Sequence, residues 1–394
     1  MSTAPSLHRS LGTRDAVFIG LGSMIGAGVF AAFAPAARAA GNGLLVGLLV
    51  AAIVAACNAL ASAQLAAAHP TSGGTYVYGR EELGQWWGFL AGWSFVVGKT
   101  ASCAAMALTF ASYAVPPEWQ KPVAVAAVVA LCAVNYRGVT RTARLARMIV
   151  VLVLVALAVG VAGAGSSGLP ALSAIDASSL VSHGPYGLLQ SAGLLFFAFA
   201  GYARIATMGE EVRDPARTIP RAIVIALAIT VVVYAVVGVA LLGALGPAGL
   251  AASSEPFVDA ASGSPSLVAI VTIGAALASL GALLALIAGI GRTSLAMARE
   301  SDLPGWLAAV HPRYRVPHRA EVAVGLVVVV LVLAVDLRGA IGFSSFGVLL
   351  YYFVANLSAL RQRAEKRMVP RVLFVVGVGC GYRAVRLAAA GRGA

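Results

Sequence analysis

An all-α polytopic membrane protein is the fold class that this sequence predicts, with ten transmembrane helices forming an inverted five-plus-five repeat whose helices 1 and 6 are interrupted. Three observations carry the prediction. Charged residues make up 11% of the 394 and hydrophobic ones 60%, with mean hydropathy +0.90, whereas a soluble domain averages about 25% charged. Apolar runs long enough to cross a bilayer, about 20 residues each, recur along the chain. Glycine-centred weak points fall in the first and the sixth of them, and paired interruptions in two halves mark an inverted-repeat membrane fold.

Taken in order, the spans fall at about 15–38, 43–68, 86–113, 121–137, 145–164, 186–208, 220–245, 266–298, 320–336 and 339–360. The first contains "GLGSMIGAGVF" (20–30), and the second is a run without a charge. The third holds Lys99 in "GWSFVVGKTASCAAM", and the fourth runs from Lys121 to Arg137. The fifth follows an arginine-rich gap, the sixth contains "FFAFAGYARI" (196–205), and the seventh opens on Pro220. Spans eight to ten are apolar runs, with a basic gap between the eighth and the ninth. A shorter segment, 368–382, precedes Arg383 and Arg386 on the side that should be poor in arginine. It reads as tilted, re-entrant or degenerate, and is not counted as an eleventh span. The organisation expected is an N-terminal tail (1–14), a ten-helix core (15–360, repeats about 15–164 and 186–360), and a basic linker with a short C-terminal hydrophobic segment (361–394).

The formal charge of +13 invites a nucleic-acid reading, but its distribution argues for a lipid bilayer as partner and for no nucleic acid. Arginines cluster in alternate gaps: Arg137, Arg141, Arg144 and Arg147; Arg213, Arg217 and Arg221; Arg313, Arg315 and Arg319; Arg361 and Arg363 with Lys366 and Arg367. The opposite gaps (114–121, 165–185, 246–265) hold Lys121 and no arginine. By the positive-inside rule the N-terminus is expected in the cytoplasm, in a multi-pass protein of the cell membrane. Cys57, Cys103, Cys132 and Cys380 lie singly in apolar segments and the five histidines in tails or loops. Neither a metal site nor a cofactor is expected. No cleavable signal peptide is read, because the first apolar run belongs to a full span.

Glycine inside a helix costs about 1 kcal/mol relative to alanine, and freed backbone groups in hydrocarbon cost more. The stretch around Gly22, Gly26 and Gly28 therefore persists only where protein, water or ligand satisfies those groups. An unwound segment would present the amides of Gly26, Ala27 and Gly28 at a helix start, where an anion is stabilised. The carbonyls of Met24 and Ile25, with those of Phe197 and Ala200 at the second break (Phe197, Ala198, Phe199, Ala200, Gly201), could accept from an ammonium. Together they describe a zwitterion site near the midplane. The competing reading is close helix packing, since Gly22 and Gly26 have small-xxx-small spacing.

Four stretches resemble the amino acid–polyamine–organocation (APC) superfamily: "GLGSMIGAGVF" followed by "APAARAAG", "HPTSGGTYVYGREELG" (69–84), "GEEVRDPARTIPRAI" (209–223) and "AMARESDLPGWLAAVHP" (296–312). They come in that family's order and spacing over residues 15–360. The resemblance implies the leucine-transporter fold, amino acid transport by alternating access, and closure over the substrate by an aromatic at the position of Phe197, with Phe199 beside it. Two departures stand out. Most members have twelve spans. Some proton-coupled relatives carry a lysine in span five, and here "RMIVVLVLVALAVGVAG" has no charge past Arg147.

Lys99 is the only lysine in the interior of a span, Lys121 standing at the edge of the fourth, and a central lysine is costly unless it faces a partner or an aqueous cavity. It is the candidate for proton exchange during the cycle or for a substrate counter-ion, against an alternative of snorkelling to the interface. Arg204, three residues past Gly201, is read as one half of a gate ion pair with Glu211, provided that its helix continues, or as an anion contact. Asp214 and Thr218 read as turn and cap residues around Pro215 and Pro220. Trp86 and Trp87 read as headgroup-level aromatics. Thr293 and Ser294 could ligate sodium, though hydroxyls of this kind more often bond back to their own helix. Proton coupling is thus expected ahead of sodium. Basic groups near the cavity without acidic ones favour neutral or acidic amino acids. An amino acid/amine antiporter is the alternative. An integral-membrane enzyme lacks a catalytic constellation, and a channel lacks repeated filter sequence.

Overall fold

The computed structural model describes residues 7, 9–166, 178–253, 255–334 and 337–363 with parts of 370–379; of Ala27, Ala31, Ser166, Phe197 and most of 337–346 only the backbone is described. Much of the segment 368–382 lies outside the described residues. Among them the structure is helical: α1 Thr13–Met24, α2 Ala27–Ala31, α3 Phe33–Ala40, α4 Leu44–Ala68, α5 Thr75–Leu83, α6 Gln85–Ala114, α7 Gln120–Tyr136, α8 Val139–Ser166, α9 Gly184–Phe199, α10 Ala203–Ala206, α11 Pro215–Ala252, α12 Pro256–Ala260, α13 Pro265–Arg299, α14 His318–Ala334 and α15 Leu337–Arg361.

Among the described residues six stretches are long and apolar enough to cross a bilayer: Phe33–Ala68, Gln85–Ala114, Pro117–Tyr136, Val139–Gly165, Pro215–Ala252 and Pro265–Arg299. They coincide with the second to fifth, seventh and eighth spans expected. The first and sixth fall short because each is broken in two, and α14 is described only to Ala334. In α11 the regular helix stops where expected, at Gly246, whose φ of 65° and ψ of 170° kink the chain before Pro247. Pro215 takes the first helical position of α11, where its missing N–H costs nothing. Asp214 precedes it at the cap position, but its side chain makes no cap hydrogen bond. Thr218 Oγ1 donates instead to the Arg213 carbonyl at 2.8 Å.

Burial separates centre from periphery. The spanning windows of α6 and α13 are 78% and 72% buried, against 28% and 39% for α7 and α8. α6 therefore lies at the middle, packed along α13 and α15, while α4 packs along α9 and α11. Small residues permit the close crossings: a Cβ on Gly98 of α6 would lie 3.1 Å from the Gly347 Cα of α15. Polar side chains between helices find one another, with Gln64 donating to Gln362 at 2.6 Å and Asn135 to the Leu284 carbonyl at 3.1 Å. Apolar side chains such as Leu49, Val155, Val232, Ile273 and Val330 are exposed on the outer surface. An apolar surface around an apolar core suits a protein whose solvent is lipid.

Candidate functional site

Both expected breaks are present. α1 ends at Met24, Ile25 leaves the helical region (φ −83°, ψ 60°), and Gly26 is extended (φ −103°, ψ −152°) before α2 begins. α2 passes into α3 through Ala32, which keeps helical angles (φ −83°, ψ −25°). The second break runs through Ala200–Tyr202, where the Gly201 amide donates to the Phe199 carbonyl at 2.8 Å and α10 starts at Ala203.

The two breaks touch. Gly201 abuts the backbone of Ser23 and Met24, so any side chain there would drive them apart. A Cβ on Gly28 would lie 2.9 Å from the Ala198 Cα, and one on Gly26 would lie 2.7 Å from the Ala282 Cβ of α13. Close approach is therefore one reason for these glycines. Tyr234 of α11 ties the breaks together, its hydroxyl facing the Met24 carbonyl at 2.6 Å and the Ala198 carbonyl at 3.1 Å. Tyr352 of α15 donates to the Ala200 carbonyl at 2.7 Å, and Lys99 Nζ reaches the same oxygen at 3.3 Å. The freed carbonyls are thus satisfied by protein, as the cost of leaving them bare demands.

Beside this crossing lies a cavity of about 30 Å³, lined in part by Met24, Gly26, Gly28, Lys99, Ala198, Ala200 and Gly201. That is room for about two waters, so a larger guest requires the helices to part. Ser23, Ser102, Met106, Ala282 and Leu286 complete the wall; the sequence reading did not anticipate them. Ile25 is buried and outside the lining. Phe199 is fully buried against the Tyr234 ring, centroids 4.8 Å apart, rather than at the cavity. The side chains of Ala27 and Phe197 lie outside the described residues.

Lys99 is 6% exposed and well inside α6, which excludes snorkelling. Arg204 does not pair with Glu211. Its helix α10 stops at Ala206, and the turn that follows carries Glu211 to Arg292 of α13 instead. Arg292 donates through Nε and Nη2 to Glu211, both at 2.5 Å, and through Nη1 to Glu321 of α14 at 3.1 Å, with all three residues almost fully buried. The amides of Ser10 and Leu11 cap the Glu211 carbonyl at 2.9 and 3.0 Å, binding the N-terminal segment to the same end of the bundle. The logic applied to Lys99, a charge inside an apolar run, also singles out Arg292. At that end Arg80 and Tyr76 of α5 both donate to Asp302, at 3.0 and 2.6 Å. Burial and the Asp302 carboxylate push the Tyr76 hydroxyl well above its ordinary range, so it remains a donor. Thr293 Oγ1 bonds back to the Gly289 carbonyl at 3.3 Å, the commoner of its two expected roles.

Comparison with known proteins gives a consistent result. The profile of a family described as amino acid permease matches residues 11–385. An uncharacterized transporter of Mycobacterium tuberculosis is 60% identical over 377 residues, covering 95% of this chain and 85% of the relative. A branched-chain amino acid permease of Bacillus subtilis is 26% identical over 398 residues (95% and 85%). A chloroplastic cationic amino acid transporter of Arabidopsis thaliana is 28% identical over 385 residues (90% and 66%).

Proposed function

Because the chain belongs to the amino acid permease family, within the APC superfamily, we propose that it moves amino acids by alternating access through the crossing of its two broken helices. It is a multi-pass membrane transporter and not an enzyme. The observation that carries the finer reading is the meeting of both breaks on one cavity, with Lys99 in its wall. In this reading the amides of Gly26, Ala27 and Gly28 take the substrate carboxylate. The Met24 carbonyl keeps a second lone pair for the ammonium beside the one that faces Tyr234. The Ala200 carbonyl is shared by two donors, so it accepts from substrate only after Lys99 or Tyr352 withdraws.

Residues 15–164 and 186–360 form the two inverted repeats, with the N-terminus cytoplasmic in the cell membrane. The Arg292–Glu211–Glu321 cluster closes the N-terminal end of the bundle, and its breakage accompanies opening there. Lys99 couples transport to protons, and the substrates are neutral or acidic amino acids. The relatives' names divide between branched-chain and cationic substrates. Among the described residues, two buried cations and no carboxylate line the two cavities, which argues against a cationic one.

Uptake of labelled amino acids into proteoliposomes, with and without an imposed pH gradient, tests the proposal. Accumulation driven by an inward proton gradient is the expected result. Accumulation indifferent to that gradient overturns the coupling, and absence of any amino acid uptake overturns the function.

A further inference from the structure

A second, smaller cavity adjoins the first, and four residues (Lys99, Ala200, Gly201 and Leu286) line both, so the two are ends of one cleft. Phe95, Ala203, Arg204 and Gly289 complete the smaller end. Arg204 is 2% exposed. Its Nη1 donates to Thr207 Oγ1 at 2.8 Å, while Nε and Nη2 have no partner among the described residues. Lys99, at the boundary of the two cavities, makes its one long bond to the Ala200 carbonyl. Among the described residues neither cation forms an ion pair, and Glu211 and Glu321 are both held by Arg292.

Arg292 shows what a buried guanidinium in this protein does when its role is structural. All three of its nitrogens are bonded, to Glu211, Glu321 and the Ala288 carbonyl. Arg204 keeps two N–H-bearing nitrogens free beside a cavity instead. An unpaired buried charge is costly, and the guanidinium edge presents a fork that matches a carboxylate. Gly289 leaves space for it, since a Cβ there would lie 2.9 Å from Arg204 Cδ. Apolar Phe95 and Leu286 wall the rest, where a methylene chain would pass.

We infer that the space between Lys99 and Arg204 is an anion subsite that receives the side-chain carboxylate of an acidic amino acid. The inference rests on the transport reading above and narrows its substrate class. The smaller end has only about 10 Å³, so the helices must part to admit a substrate; its α-carboxylate and ammonium then lie at the breaks, its side chain runs along the shared wall past Lys99, and its carboxylate completes the Arg204 fork. A free halide would meet the same donors, and the experiment separates the two sources.

The full-length protein in proteoliposomes is assayed for competition by glutamate and aspartate against their amides, glutamine and asparagine, with chloride replaced by gluconate. The acids should compete at least tenfold better than the amides in the unmodified protein. Arg204→Gln should lower that ratio at least tenfold, and Arg204→Lys should retain part of it. A ratio near one in the unmodified protein, which needs no variant to fold, overturns the subsite while leaving transport standing. Equal losses for acid and amide in Arg204→Gln also overturn it, since a structural arginine lowers both alike. Neutral amino acid uptake that requires chloride, and loses that requirement in Arg204→Gln, assigns the space to a free anion and overturns the carboxylate. Failure to carry any amino acid overturns the transport reading and the ligand assignment together.

Discussion

Tyr234→Phe isolates the hydroxyl that joins the two broken helices. The Tyr234 ring is fully buried and packs on Phe199 and Phe33, with centroids 4.8 and 6.3 Å away. Phenylalanine keeps that packing and opens almost no cavity. What is lost is one proton facing two carbonyls, Met24 at 2.6 Å and Ala198 at 3.1 Å. A buried hydrogen bond is worth about 1 kcal/mol net, and a carbonyl stranded without its donor costs about 1–3 kcal/mol. The substitution should therefore destabilise the crossing by about 1–3 kcal/mol. If the crossing is the substrate site, that loss weakens affinity about 5- to 150-fold, at tenfold per 1.4 kcal/mol. Thermal unfolding in detergent and scintillation-proximity binding of the transported amino acid read the two consequences separately. A variant that unfolds and binds as the unmodified protein does would refute the claim that Tyr234 holds the breaks in register.

Gly26→Ala places a methyl 2.7 Å from the Ala282 Cβ; binding should weaken at least tenfold, and Ala282→Gly in the same chain should restore most of it. Rescue tests close approach directly, and unaltered binding in the single variant would show that α13 yields freely there. Arg292→Met strands two buried carboxylates and should cost about 3–5 kcal/mol in thermal denaturation, whereas replacing Arg292, Glu211 and Glu321 together by apolar residues should recover most of that loss. A single variant within about 1 kcal/mol of the unmodified protein would count against the cluster as a closure. Lys99→Ala should leave residual transport insensitive to an imposed pH gradient. Unchanged gradient-driven accumulation in that variant excludes Lys99 as the coupling residue.

The breaks at Ile25–Gly26 and around Gly201 were legible in the chain because local energetics produce them: glycines in an apolar run weaken a helix wherever it folds. Lys99 was legible for a similar reason, since a lone charge in hydrocarbon must face a polar space whatever the neighbouring helices are. The pairing of Arg204 with Glu211 failed because it assumed a helix running on past Ala206, and the turn there redirects the carboxylate to Arg292. Phe199, beside the position where the resemblance implies a closing aromatic, packs away from the cavity against Tyr234.

By itself the sequence determined the membrane class, the positions of the long apolar helices and the two interruptions, because hydropathy and glycine cost act along the chain over one span at a time, and its four motif stretches carried the resemblance to the family whose profile matches. Only the tertiary structure decided which groups satisfy the freed carbonyls, through Tyr234 and Tyr352 from helices far along the chain. It alone decided which of two arginines in apolar segments is neutralised and which keeps free donors beside a cavity. Those outcomes depend on which side chains meet across helix interfaces, and in a low-dielectric interior a displacement of a few ångströms separates a paired charge from an unpaired one.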